Sequence, residues 1–156
     1  MRLLPMIALM LMSTPALATT PAENKAASLR VFEALETGDV AVLNEIFADD
    51  GRNHVSDTAR ARGGPHATFY DAAPFIGALS NRKVEVLEIL AEGDLVAVRS
   101  RLCGDHTEAP IWDVQPSGRR ICGVYHNIYR FEGGRIIDNF VANDARSIER
   151  QVRGEN

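Results

Sequence analysis

The feature that most constrains this chain is a change of period part-way along it. In the first half apolar residues recur at helical spacing; from residue 84 onward they sit in four runs rich in β-branched and aromatic residues. Thr20-Pro21-Ala22-Glu23 is a capping box with proline at the first helical position, Ala27, Val31, Ala34 and Leu35 supply one face, and Gly38 ends the helix. Asp39 is placed to cap a shorter helix carrying Val42, Leu43, Ile46 and Phe47. An extended piece over 52–57 and a glycine-paired loop over 58–65 follow. Residues 66–79 read as a helix with Phe69, Ala73, Ile76 and Leu79 grouped, bent at Pro74. The β-rich runs are 84–90, 95–102, 120–131 and 135–141. Glu92-Gly93-Asp94 and Glu132-Gly133-Gly134 form hairpin turns, and a longer loop, 107–117, joins the middle strands. A closing helix spans 145–152. Helices first and a meander after them predict an α+β fold, with helices packed on one face of a curved antiparallel sheet. Such a sheet wraps into a half-cone whose mouth is a pocket for a small molecule.

The amino terminus is set apart. Arg2 precedes an apolar run from Leu3 to Met12, broken at Pro5, and Ala16-Leu17-Ala18 gives the small-x-small pattern that a signal peptidase reads. The run falls well short of the roughly 20 residues a spanning helix needs. Residues 1–18 are therefore expected to be a cleaved signal peptide, with 19–156 as one exported domain, periplasmic or secreted, and no membrane span after cleavage. The other reading of this run is an N-terminal helix of the fold. The chain's formal charge of −4 argues against nucleic acid as a partner.

Two cysteines, Cys103 and Cys122, survive cleavage. The long loop puts them opposite each other on adjacent antiparallel strands, within reach of a disulfide that export would permit. Two small apolar strand residues remain the alternative. No metal-ligand spacing, phosphate loop or G-x-S-x-G elbow is present, so neither a metal nor a cofactor is expected.

Four segments in order resemble a known family. Gly38-Asp39 through Phe47-Ala48-Asp49-Asp50 with Asn53-His54 is similar to its "GD…FADD…NH" opening, and residues 91–99 to its "AEGDxVAVR" hairpin. Gly104-Asp105-His106-Thr107 is similar to its "GTHTG" strand end. Residues 129–136 resemble its "FRxxDGKI" hairpin, with Asp144 beyond it. The family is the SnoaL-like polyketide cyclases, within the nuclear transport factor 2-like superfamily. The resemblance implies a half-cone fold and, in the cyclases, an intramolecular aldol reaction. It places Asn127 where those enzymes carry an aspartate, and an amide cannot accept a proton at neutral pH.

The resemblance also places His54 and His106 in the pocket, where histidine suits general acid/base work; a hydrogen bond at a strand end is the structural alternative for each. Asn127 would orient substrate or water. Opposing Cys103 to Cys122 also opposes Val98 to Asn127, so Val98, Ser100, Leu102 and His106 share a face with Gly123, Tyr125 and Asn127. Tyr125 and Tyr129 could hydrogen-bond a ligand oxygen or form an ordinary aromatic strand face; Trp112 could cap the mouth or pack on the rim or on a partner subunit; and Phe69 would lie above the cone. His126 falls on the opposite face from Asn127, and His66 near a helix start in solvent. Two functions stay open: an enzyme moving protons (cyclase, isomerase, dehydratase or hydrolase), and a ligand-binding or protein-interaction module that kept the cone. A homodimer through the sheet is the expected protein partner.

Overall fold

The computed structural model describes residues 19–39, 41–54, 62–63 and 75–155. Helix α1 (Pro21–Thr37) starts at the expected capping box: the Thr20 hydroxyl accepts from the Glu23 N–H, and the Glu23 carboxylate accepts from the Thr20 N–H. It ends where Gly38 adopts φ +83°, a left-handed conformation that only glycine takes without strain. Asp39 accepts from the Ala41 N–H and opens α2 (Ala41–Ile46). Phe47, read above as the end of that helix, instead begins β1 (Phe47–His54).

The strands are longer than their apolar patterns indicate. They are β2 (Arg62–Gly63), β3 (Leu79–Glu92), β4 (Leu95–His106), β5 (Arg120–Glu132) and β6 (Arg135–Asn143), closed by α3 (Ala145–Arg153). Of the helix expected over 66–79, residues 75–77 are helical and Leu79 already opens β3; Phe69, Ala73 and Pro74 lie outside the described residues. The Arg82 guanidinium closes that corner, donating to the carbonyls of Ile76, Leu79 and Glu36.

The sheet order is β2-β1-β6-β5-β4-β3. The last four strands form the expected antiparallel meander, and its hairpins turn at glycines with positive φ: Gly93, then Gly133 and Gly134. β1 joins β6 in parallel, making the whole sheet mixed, and the two-residue β2 extends that edge. Bulges in β3 between Ser80 and Lys83, and between Val86 and Glu88, bend the sheet. β4 and β5 pair without a break from Leu95↔Arg130 to Asp105↔Arg120, with Cys103 opposite Cys122. Those two cysteines are bonded, with Cα atoms 4.1 Å apart.

One core cluster joins α1 and α2 to the sheet through Val31, Phe32, Leu43, Phe47, Val96 and Tyr129. A second lies under α3 and includes Leu79, Leu102, Ile121, Ile148 and Val152. Glu36 ties α1 to β3 by accepting from the Val84 N–H at 2.7 Å and from Lys83 Nζ at 3.1 Å. α3 packs onto β5 at Gly123, where an added Cβ would lie 2.7 Å from Ile148 Cδ1 and 2.9 Å from the Tyr125 ring. Beyond the end of β6, Gln151 replaces it as partner to β5: its amide accepts from the Cys122 N–H and donates to the Cys122 carbonyl.

Candidate functional site: a neutral cone

Strict alternation divides the chemistry of the sheet between its two faces. On the inward face β4 presents Val96, Val98, Ser100 and Leu102, β5 presents Gly123, Tyr125, Asn127 and Tyr129, and β6 presents Asn139, Val141 and Asn143. Together with α1, α3 and the 107–119 loop this face encloses a cavity of about 440 Å³. That is within the usual range for small-molecule sites. Its wall is mostly apolar, with Phe32, Leu35, Phe75, Ile76, Ile111 and Ile148 prominent. Its polar members are Asn53, Ser100, Tyr125, Asn127, Tyr129 and Asn143. No aspartate, glutamate, histidine, lysine or arginine lines it among the described residues.

Two asparagines of the floor, Asn127 and Asn53, are joined through a third, Asn139, buried between them. Asn127 Nδ2 donates to Asn139 Oδ1 at 3.0 Å, and Asn139 Nδ2 donates to Asn53 Oδ1 at 2.6 Å. The relay leaves Asn127 Oδ1 as an acceptor toward the cavity. Burial pushes the Tyr125 phenol up to about 12, and that of Tyr129 up as well, so both stay neutral hydroxyls at physiological pH. Tyr129 is fully buried beside Phe32 and Phe47, and its hydroxyl has no hydrogen-bond partner among the described residues.

The structure separates the two candidate histidines from this cavity. His106 lies on the inward face, as alternation indicates, and is completely buried. The long loop folds over it. Nε2 donates to the Ala109 carbonyl at 2.9 Å, and Nδ1 lies 3.3 Å from the Ser117 hydroxyl. Its carbonyl takes the Ser117 and Gly118 N–H groups, and its own N–H goes to Arg119. His106 organises the loop and does not line the cavity. His54 departs further from expectation. It pairs with Phe140 across β1 and β6 while its neighbour Asn53 pairs with Asn139, so the two point to opposite faces. On the outer face His54 stacks on Phe140, 4.5 Å between rings, and its Nε2 lies 2.8 Å from Asp138 Oδ1. The histidine drew notice in the sequence, whereas the cavity residue is the asparagine before it.

Trp112 lines the cavity from the long loop. Ile111 and Val114 pair in a tight bridge that holds Trp112 at φ +51°, a costly conformation for so large a side chain. Arg153 fixes the tip by donating to Asp113 at 3.1 Å and thereby holds the Asp113 carboxyl below its usual range. Trp112 is 58% exposed and lines the cavity rim. Phe69 lies outside the described residues. The disulfide is on the outer face, away from the cavity. No cluster of three or more histidine, cysteine, aspartate or glutamate side chains able to hold a metal occurs among the described residues.

A bent mixed sheet wrapped around an apolar cavity, with helices across its open side, defines a nuclear transport factor 2-like cone. The SnoaL-like polyketide cyclase family matches residues 25–152, and the chain belongs to that family. No curated protein matches the sequence. Among solved structures the chain is similar to AclR of Streptomyces galilaeus, provisionally described as a hydroxylase. The two share 22% identity over 88% of each chain, with a TM-score of 0.77. A protein of Jannaschia sp. CCS1, provisionally described as a SnoaL-like polyketide cyclase, is 21% identical over 85% of this chain and 92% of its own, at TM-score 0.75. An epoxide hydrolase of M. tuberculosis is 16% identical over 86% of this chain and 92% of its own, at TM-score 0.63. At such identities the likeness is one of fold, which hosts several chemistries.

Proposed function

We propose that this protein is an exported binder of a small, neutral, largely apolar organic molecule, held in the cone with its polar end on the asparagine floor. One observation carries this reading: the described cavity wall combines apolar side chains with amides and hydroxyls that stay uncharged near neutral pH. An anion or cation seated there would lose its hydration without gaining a counter-charge. Proton-transfer catalysis, the competing reading, needs a base within reach of the ligand. Asn127 is an amide, and both ring nitrogens of His106 are engaged by the loop. Trp112 is the chain's single tryptophan and stands at the rim, so its fluorescence reports occupancy. Titration with neutral bicyclic ketones should shift or quench it saturably. Equal or stronger binding of the matching carboxylates would overturn the reading.

Export rests on the Leu3–Met12 run and the Ala16-Leu17-Ala18 motif, outside the described residues, and is supported by the Cys103–Cys122 bond, which suits an oxidising compartment. Protein from its native host should begin at Thr19, or within two residues of it, by intact mass.

A specific feature of the outer face supports self-association. Leu90, Ala97, Ile128, Phe140 and His54 are successive cross-strand partners, forming one row across five strands. Leu90, Ile128 and Phe140 remain 73%, 45% and 41% exposed. Neighbouring charges are paired within the chain (Glu88 with Arg99, Asp94 with Arg130), so an identical face meets little unpaired charge. A second copy is the proposed occupant. Light scattering should show a dimer that Ile128→Glu converts to monomer; an unchanged mass would exclude this interface.

A further inference from the structure

The cavity reading leaves one group without a task. Tyr129 lines the cone and is almost wholly buried, yet its hydroxyl has no hydrogen-bond partner among the described residues. Among buried side-chain polar atoms of the described residues it is the one without a partner. A buried hydroxyl with no partner lowers stability, and removing it while keeping the ring is expected to raise stability. The sheet around it is otherwise thorough about polar atoms: Asn139, directly opposite Tyr129 on β6, is tied on both sides into the amide relay.

We infer that Tyr129 is the residue that selects the ligand's chemistry: its hydroxyl donates to an uncharged acceptor oxygen, a carbonyl or ether, carried at the inner end of an apolar skeleton. The inference rests on the cone-binding reading and sharpens it to a ligand class. A neutral phenol is a donor suited to a carbonyl or ether oxygen. A carboxylate oxygen at this depth would lie among Phe32, Phe47 and Val96 with no cation beside it among the described residues. Asn127 Oδ1, two residues along the same face, accepts but does not donate. It would favour a hydroxyl or enol neighbouring the ligand's acceptor oxygen.

The test crosses one atom of the ligand with one atom of the protein. 2-Decalone and decalin share a carbon skeleton and differ at the ketone. The wild-type protein should bind decalone at least tenfold more tightly than decalin, read by Trp112 fluorescence. Tyr129→Phe should bind the two about equally while melting about 2–4 °C higher, because the hydroxyl serves the ligand at the expense of the fold. Retention of the full ketone preference by Tyr129→Phe would overturn the inference and leave the cone-binding reading standing. A lower melting temperature for the variant would also overturn it, since the hydroxyl would then have a structural partner. Failure of the wild type to bind either probe would remove the cone-binding reading itself.

Discussion

The two faces of this sheet are built from the same strands and carry opposite chemistries. The outward face holds the ionisable groups: Glu88 with Arg99, Glu85 with Arg101, Asp105 with Arg120, His54 with Asp138. It also holds the disulfide. The cavity wall on the inward face holds amides, phenols, one serine and apolar side chains, with His106 beyond it under the long loop. Among the described residues no carboxylate, lysine, arginine or histidine lines the cavity, a division that supports the proposed binding of an uncharged molecule. The outer features should therefore govern stability and association, and the inner ones affinity.

The largest effect expected from breaking that division is at the disulfide. Replacing Cys103 and Cys122 together by alanine releases a bridge spanning 19 residues and should lower unfolding stability by about 3 kcal/mol. Probe affinity should stay within twofold, because the bridge faces away from the cone. Denaturant melts and Trp112 titrations on the same samples measure both. Next in size is the asparagine floor. Asn139→Leu removes the middle of the relay, so Asn127 and Asn53 each lose a hydrogen bond in a buried setting. A loss of about 2 kcal/mol is expected, and here affinity should fall too. A smaller effect belongs to Gly123→Ala, whose Cβ would press on Ile148 and the Tyr125 ring. The ends of flexible side chains can give way, so about 1 kcal/mol is expected, with weaker binding as α3 shifts at the cavity wall. The mildest signal is spectroscopic. The Tyr125 phenol is raised to about 12 by burial, so the folded protein holds its proton more tightly than the unfolded chain. Its contribution to stability is present in full below pH 10 and is lost as pH rises from 10 towards 12. Ultraviolet titration should show delayed tyrosinate formation in the folded protein, and normal titration near 10 would place Tyr125 in solvent.

How far the sequence reached depends on the range of the interaction. The caps of α1, the glycine turns and the register of β4 on β5 were legible because each is decided within a few residues or by a single loop. The alternation that put Tyr125 and Asn127 on one face followed from that register. The β1–β6 pairing was not legible: parallel strands share no turn, so nothing local announces their register. The family resemblance made His54 a pocket candidate in place of Asn53, and alternation offered no check on it, because alternation assigns faces only once a partner strand is known. Asn139 was missed for a related reason, sitting in an apolar run whose inward side the sequence does not mark. His106 was placed on the correct face, but the return of Ala109 and Ser117 onto its ring depends on the fold of the 107–117 loop. Trp112 was legible by type and position, though not the backbone strain that presents it.

The most direct test of the neutral cone is the pH dependence of binding. Trp112-monitored titration with 2-decalone between pH 5.5 and 8.5 should give a dissociation constant constant within twofold, since no described lining side chain changes charge in that interval. An affinity that changes tenfold with an inflection near 6.5 would mean that a histidine acts on the ligand, and would contradict the neutral cone.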